Sequence, residues 1–104
     1  MQDELNASEC SKYLKALGDP ERLRIIECLQ EGPKTVGDLS RQLDSAIANV
    51  SHHLKQLRFA GLVRNERHGR NIVYSLAPEF AGKAGRLPLK TLDFGCCRIE
   101  LGKK

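Results

Sequence analysis

Between residues 47 and 57 apolar positions fall at three- and four-residue steps, Ile47, Val50, Leu54 and Leu57, while Ala48, His52 and Lys55 occupy the other side. That spacing predicts a helix with one apolar stripe. Gly61 follows the last periodic position, where a left-handed cap costs least, and Leu62 and Val63 open an extended run. A second run, Asn71 to Leu76, puts Ile72, Tyr74 and Leu76 on one side at period two. Between the two runs, Arg67, His68, Gly69 and Arg70 predict a tight turn with a cationic tip, suited to a phosphate or a minor groove.

Upstream, Asp19-Pro20 is a helix start, Asp as N-cap and Pro at the first helical position, with Leu23, Ile26 and Leu29 at helical spacing. Gly32-Pro33 ends that helix. Thr35 and Asp38 form a capping-box-like pair ahead of Val36, Leu39 and Leu43, and Asp44-Ser45 makes a short connection to the helix beginning at Ile47. Cys10 to Leu17 predicts a further short helix, with Tyr13, Leu14 and Leu17 as its buried side. Residues 77–90 hold two prolines and two glycines and read mostly as loop; residues 91–101 read as a strand. An exposed strand there is a pairing hazard, so it is expected to join the hairpin's sheet or cross to a partner, with Phe59 packed against it.

Helix, tight turn, helix and basic hairpin together predict a mainly α domain with a small β-sheet (α+β), a winged helix-turn-helix. One domain spans residues 1–104, with its core at 10–76, a loop at 77–90 and a C-terminal strand at 91–101. A chain of 104 residues buries roughly 60–65% of its unfolded surface, with no room for a second core. No apolar stretch is long enough for a signal peptide or a membrane span, so a cytoplasmic protein with no membrane partner is expected.

Charge sharpens this picture. Residues 1–31 carry four basic against seven acidic side chains, residues 32–51 two against two, and residues 52–104 eleven against four. The basic excess begins inside the helix at 47 and runs through the hairpin, where a surface facing DNA belongs. A solvated cationic face is the plainer explanation of such a run taken alone. With two Tyr, three Phe and no Trp, stacking on single strands is disfavoured.

The segments ALGDPERLRII, TVGDLSRQL, VSHHLKQLRFAGLV and RHGRNIVYSL resemble the ArsR/SmtB family of metal-responsive bacterial repressors, over roughly Leu14 to Leu76. The resemblance implies a homodimeric winged helix-turn-helix that binds a double-stranded DNA operator and leaves it when an inducer binds. Relatives usually end in a helix, so the C-terminal strand would be atypical. By position, the resemblance implies that Ile47, Ala48, Asn49, Ser51 and His52 face the major groove. Asn can pair with adenine, Ser can donate or accept, and Lys55 one turn on suits a phosphate. Ile47 and Ala48 stand where polar residues are usual in the family, which suggests contact with a thymine methyl. Arg67 and Arg70 fit the wing, and Arg64 the DNA backbone. His53 flanks the apolar stripe and reads as a packed, hydrogen-bonded histidine.

The resemblance also implies a sensor, and two of the family's sites are missing. Thr35, Val36 and Gly37 stand where many relatives carry Cys-Val-Cys before Asp-Leu, here Asp38-Leu39. The Asp/His/Glu site of a C-terminal helix has no histidine, since His52, His53 and His68 all lie in the DNA-binding half. Of four cysteines, Cys28 lies among Ile25, Ile26 and Leu29 and reads as core. Cys10, Cys96 and Cys97 are a candidate trithiolate for Zn, Cd or As(III) acting as inducer. Adjacent thiols point to opposite faces of a regular strand. However, Leu92, Phe94 and Cys96 alternate in one phase and Cys97, Ile99 and Leu101 in the other, and a β-bulge at Gly95 would turn both thiols one way. Chelation, a structural role and thiol redox sensing all stay open, and a standing disulfide is not expected in a cytoplasm. Cys96-Cys97 lacks the Cys-x-x-Cys spacing of a thiol-disulfide enzyme, so no enzyme is expected. The alternative is a ligand-independent DNA-binding or protein-interaction module with structural cysteines.

Overall fold

The computed structural model describes residues 7–78, 91–94 and 98–100. Its first helix, α1, runs Ala7–Leu17, three residues longer at its start than the apolar spacing predicts. Helix α2, Pro20–Leu29, begins where Asp19 accepts from the N–H groups of Glu21 at 2.9 Å and Arg22 at 3.2 Å, satisfying two donors that the helix itself cannot. Helix α3, Val36–Leu43, carries the capping box in full: Asp38 N–H donates to the Thr35 hydroxyl and Thr35 N–H to the Asp38 carboxylate, both at 3.1 Å.

Asp44 ends α3 in the left-handed conformation (φ 52, ψ 51), with Ser45 N–H donating to the Ser40 carbonyl at 3.0 Å. The Ser40 hydroxyl donates in return to the Ser45 carbonyl, closing the three-residue turn into α4, Ile47–Phe59. At the far end of α4, Gly61 has φ +82, its N–H donates to the Arg58 carbonyl and Leu62 N–H to the Leu57 carbonyl, each at 3.0 Å. This is a Schellman cap, and it turns the chain directly into the hairpin.

Strands β2, Val63–His68, and β3, Asn71–Leu76, pair antiparallel from Val63 opposite Leu76 to His68 opposite Asn71. Gly69 (φ +65) and Arg70 form the two-residue loop between them. A two-residue strand that the apolar pattern did not signal, β1 at Lys34–Thr35, pairs with the other edge of β3, giving the order β1-β3-β2. Ile25, Ile26, Leu39, Val50, Leu54, Leu57, Leu62 and Val63 are fully buried where α2, α3 and α4 meet the sheet. Each such side chain contributes about 1.5–3 kcal/mol through removal from water. Among the described residues no helix is long and apolar enough to cross a membrane.

The C-terminal segment departs from the expected strand at 91–101. It forms two strands, β4 at Thr91–Asp93 and β5 at Arg98–Glu100, which pair with each other and not with the wing sheet. The pairing is antiparallel, with Asp93 opposite Arg98. Gly95, Cys96 and Cys97, where the bulge was placed, lie outside the described residues, as does most of the loop at 77–90.

Leu92 and Phe94 are buried, and the Phe94 ring stacks on Tyr13 of α1 with centroids 5.0 Å apart and planes 24° apart. Tyr13 therefore takes the role expected of Phe59, which is 67% exposed. Leu14 is also exposed, because Cys10, Tyr13, Ala16 and Leu17 form the inward face of α1. Ile47 and Ile72, both on predicted apolar stripes, lie at the ends of their elements beyond the core and are exposed.

Candidate nucleic-acid interface

Helix α4 is held by one side and open on the other. Val50, Leu54 and Leu57 are wholly buried, whereas Ile47, Ala48, Asn49, Ser51 and His52 are all exposed. Its N-cap, Ala46, offers no side-chain hydrogen bond, and no acidic residue lies in the first turn. The positive end of the helix dipole is thus neither capped nor neutralised by its own sequence. An amide, a hydroxyl and an imidazole on that open face supply donors and acceptors of the kind that read base edges.

A polar network sets this helix against α2. Arg22 Nε donates to His53 Nδ1 at 3.1 Å, and Arg22 Nη1 donates to the Ala16 carbonyl at the end of α1 at 3.0 Å. On its other side, His53 Nε2 lies 3.4 Å from Glu21 Oε1 and 3.9 Å from Asp19 Oδ1. Only 14% of the His53 side chain is exposed, so the reading of a packed, hydrogen-bonded histidine matches its place. Burial pushes the Asp19 carboxyl up, but the N–H bonds from Arg22 and Glu21, helped by the charges of His53 and Arg22, bring it below its usual 3.8. Arg22 had no signal in the sequence. It is one of two arginines on a short amphipathic helix, and its partner lies 31 residues further on.

Arg64, Arg67 and Arg70 are all exposed. Arg64 and Arg67 sit three apart on β2, so strand period two sends them to opposite faces of the ribbon, with Arg70 in the loop between the strands. They cannot all face one surface. His68 Nε2 lies 3.4 Å from Glu66 Oε1, an exposed pair worth about 0–1 kcal/mol. Lys55 Nζ lies 5.8 Å from the centroid of the Phe59 ring, one turn away from the open end of α4, so a phosphate role requires it to swing back.

The cysteines divide differently from expectation. Cys10, buried on the inner face of α1, is disulfide-bonded to a thiol outside the described residues. That corrects the view that no standing disulfide belongs here; the cause is the close packing of the C-terminal segment on the face of α1 that carries both Cys10 and Tyr13. A disulfide sulfur is no thiolate donor, so the proposed Cys10, Cys96, Cys97 metal set does not fit this oxidised state. Cys28 is a free, buried thiol pushed up from its usual 9.0, first by burial and then by Glu31. Among the described residues no three His, Cys, Asp or Glu side chains converge as a metal site.

Residues 19–65, from the Asp19 cap through α4 into the wing, match the family model described as bacterial regulatory protein, arsR family. The chain of known structure for reduced HlyU of Vibrio cholerae superposes with a TM-score of 0.67 at 32% identity, covering 69% of this chain and 76% of that one. The chain belongs to the ArsR family. Among curated relatives, the HTH-type transcriptional regulator NmtR of Mycobacterium tuberculosis is 43% identical over 74 residues, 71% of this chain. The SmtB-homologue transcriptional repressor of Synechocystis is 39% identical over 71 residues, 68% of this chain. This ArsR-family chain spans 62% and 54% of the lengths of those two relatives. The family match covers Asp19, Glu21, Arg22 and His53 of the network and the open face of α4, and excludes Cys10, Ala16 and strands β4 and β5.

Proposed function

We propose that the chain is a sequence-specific double-stranded DNA-binding repressor, working as a cytoplasmic homodimer and released by a thiol-directed or a metal or metalloid signal. The observation that carries this reading is the open face of α4: Asn49, Ser51 and His52 exposed at an uncapped helix start, beside a basic wing. Asn49 and Ser51 read base edges, Ile47 and Ala48 pack against thymine methyls, and Arg67 and Arg70 anchor the wing on phosphates. That the Synechocystis SmtB homologue is a transcriptional repressor supports the direction of control.

The test is duplex titration across a salt series. Arg70→Ala is expected to weaken binding to every sequence and to lower the salt slope by about one. Asn49→Ala is expected to relax sequence choice, at a cost of about 1–3 kcal/mol confined to one base position. An unchanged affinity and slope in Arg70→Ala would remove the wing from the interface.

For the signal, the Cys10 disulfide favours a thiol reading over a metal one. We infer that its partner is Cys96 or Cys97, since Cys28 is free. Closing the bond releases two protons and two electrons to a disulfide oxidant such as glutathione disulfide, and reduction reverses it. Duplex affinity measured oxidised, reduced, and reduced with Zn²⁺, Cd²⁺ or As(III), then repeated in Cys10→Ser, Cys96→Ser and Cys97→Ser, separates the two signals. A redox dependence lost in Cys10→Ser supports the thiol signal, and release by one ion acting only on the reduced protein supports the metal.

A further inference from the structure

Phe59 has no role in the core or at the DNA-facing end of α4, yet it exposes two-thirds of its surface. It forms one lip of an open groove of about 300 Å³ between α1 and the C-terminal half of α4. Lys12 and Lys15 of α1 make the other side, Ala16 and Ala60 line it, and Arg22 reaches it from α2. Among the described residues no carboxylate lines this groove. Lys55 and Arg58 add charge beside it, each 5.8 Å from the centroid of the Phe59 ring. Three cations in the walls, small apolar side chains and an aromatic lip are complementary to a ligand with one negative group and one flat apolar body.

Arg22 gives this groove a route to α4. Two of its N–H donors hold His53 and the Ala16 carbonyl, which leaves other donors of its five-donor fork for the groove. A carboxylate offers that fork a charge-assisted, two-pronged partner, where His53 Nδ1 accepts a single bond. We propose that the α1–α4 groove binds a small aromatic carboxylate, and that Arg22, drawn toward the ligand, loosens its hold on His53 and so weakens DNA binding. The output rests on the DNA-binding reading above, and the site itself does not.

The probe is benzoate, followed through backbone amide shifts of the full chain, with acetate and benzyl alcohol supplying the charge and the ring separately. Saturable shifts confined to residues 12–16, 22 and 56–60 are expected, with a Kd in roughly the millimolar range for so small a ligand. They should be lost in Phe59→Ala and in the Lys12→Gln/Lys15→Gln pair, whose exposed side chains can change without disturbing the core. Equal shifts with acetate, or benzoate shifts that survive Phe59→Ala, would show general ion binding to lysines and overturn the site. Saturating benzoate is expected to weaken duplex binding about fivefold or more, and Arg22→Lys to abolish that effect. Site shifts with unchanged duplex affinity would overturn the coupling. A protein that binds no duplex would overturn the DNA reading instead, while the amide titration still decides the groove.

Discussion

Gly61 joins the helix that carries the proposed base-reading face to the wing, and its substitution separates backbone strain from steric clash. At φ +82 it adopts a conformation that L side chains rarely take, yet a Cβ built on it meets nothing within 4 Å. Gly61→Ala therefore adds no collision. What remains is the left-handed backbone cost of about 1–2 kcal/mol, partly offset by about 0.4–1 kcal/mol from a stiffer unfolded chain. The net loss is about 1 kcal/mol, which lowers the melting temperature of a domain this size by about 4–8 °C. Urea and thermal melts followed by circular dichroism measure it. D-alanine placed at the same position by semisynthesis has the opposite handedness and should melt at or above the parent. Duplex affinity measured well below the melting range should stay unchanged in both, because the two cap hydrogen bonds are made by backbone groups. An L-alanine variant that melts with the parent, or a D-alanine variant that loses as much as the L form, would refute the assignment of this glycine to strain.

Arg22→Leu leaves His53 Nδ1 without its donor and should cost about 1–3 kcal/mol in urea unfolding, while His53→Ala in the same background costs little more if the two act as one unit. Tyr13→Ala removes the ring under Phe94 and is expected to raise amide exchange across residues 91–94 and 98–100 with the wing unaffected, and uniform loosening would contradict it. The Asp38 carboxyl is held below its usual 3.8 first by the Thr35 N–H, then by the Thr35 hydroxyl, with Arg41 and Lys34 assisting. Its contribution is thus present above pH 4 and lost as pH falls through and below 3.8, so melting temperature against pH should be flatter on the acid side in Asp38→Asn. Leu54→Ala, emptying a fully buried position, should cost about 2–5 kcal/mol by chemical denaturation.

Where one short stretch of chain decides its own conformation, the sequence was legible. Asp19-Pro20, Thr35 with Asp38, and Gly61 each announce a helix end through side chains or φ preferences acting within three residues, and each is found as expected. The exposed positions 48, 52 and 55 were likewise readable from helical period alone, whereas 49 and 51 came with the family resemblance. Periodicity failed at element ends. Ile47 and Ile72 share the apolar phase of their neighbours but extend past the packed layers, and phase does not record where a layer stops. The C-terminal segment was expected as one strand and its described part forms two, because alternation does not record where one strand stops and another begins. Strand β1 and the Arg22–His53 bond were invisible because each exists only through a partner about 30 or more residues away.

The pairing of β3 on both edges has a further consequence. On one side it is bonded to β1, where Thr35 both pairs with Val73 and caps α3; on the other it is bonded to β2, which carries Arg64 and Arg67. The wing is therefore geared to the front of the helix-turn-helix through a strand register that can change only in steps of about 3.3 Å. The molecule acts as a caliper with a fixed jaw opening. Under the proposed function, its two contact points are satisfied only by DNA whose groove-to-backbone span already fits, and an operator lengthened or unwound between them is rejected by mechanical mismatch.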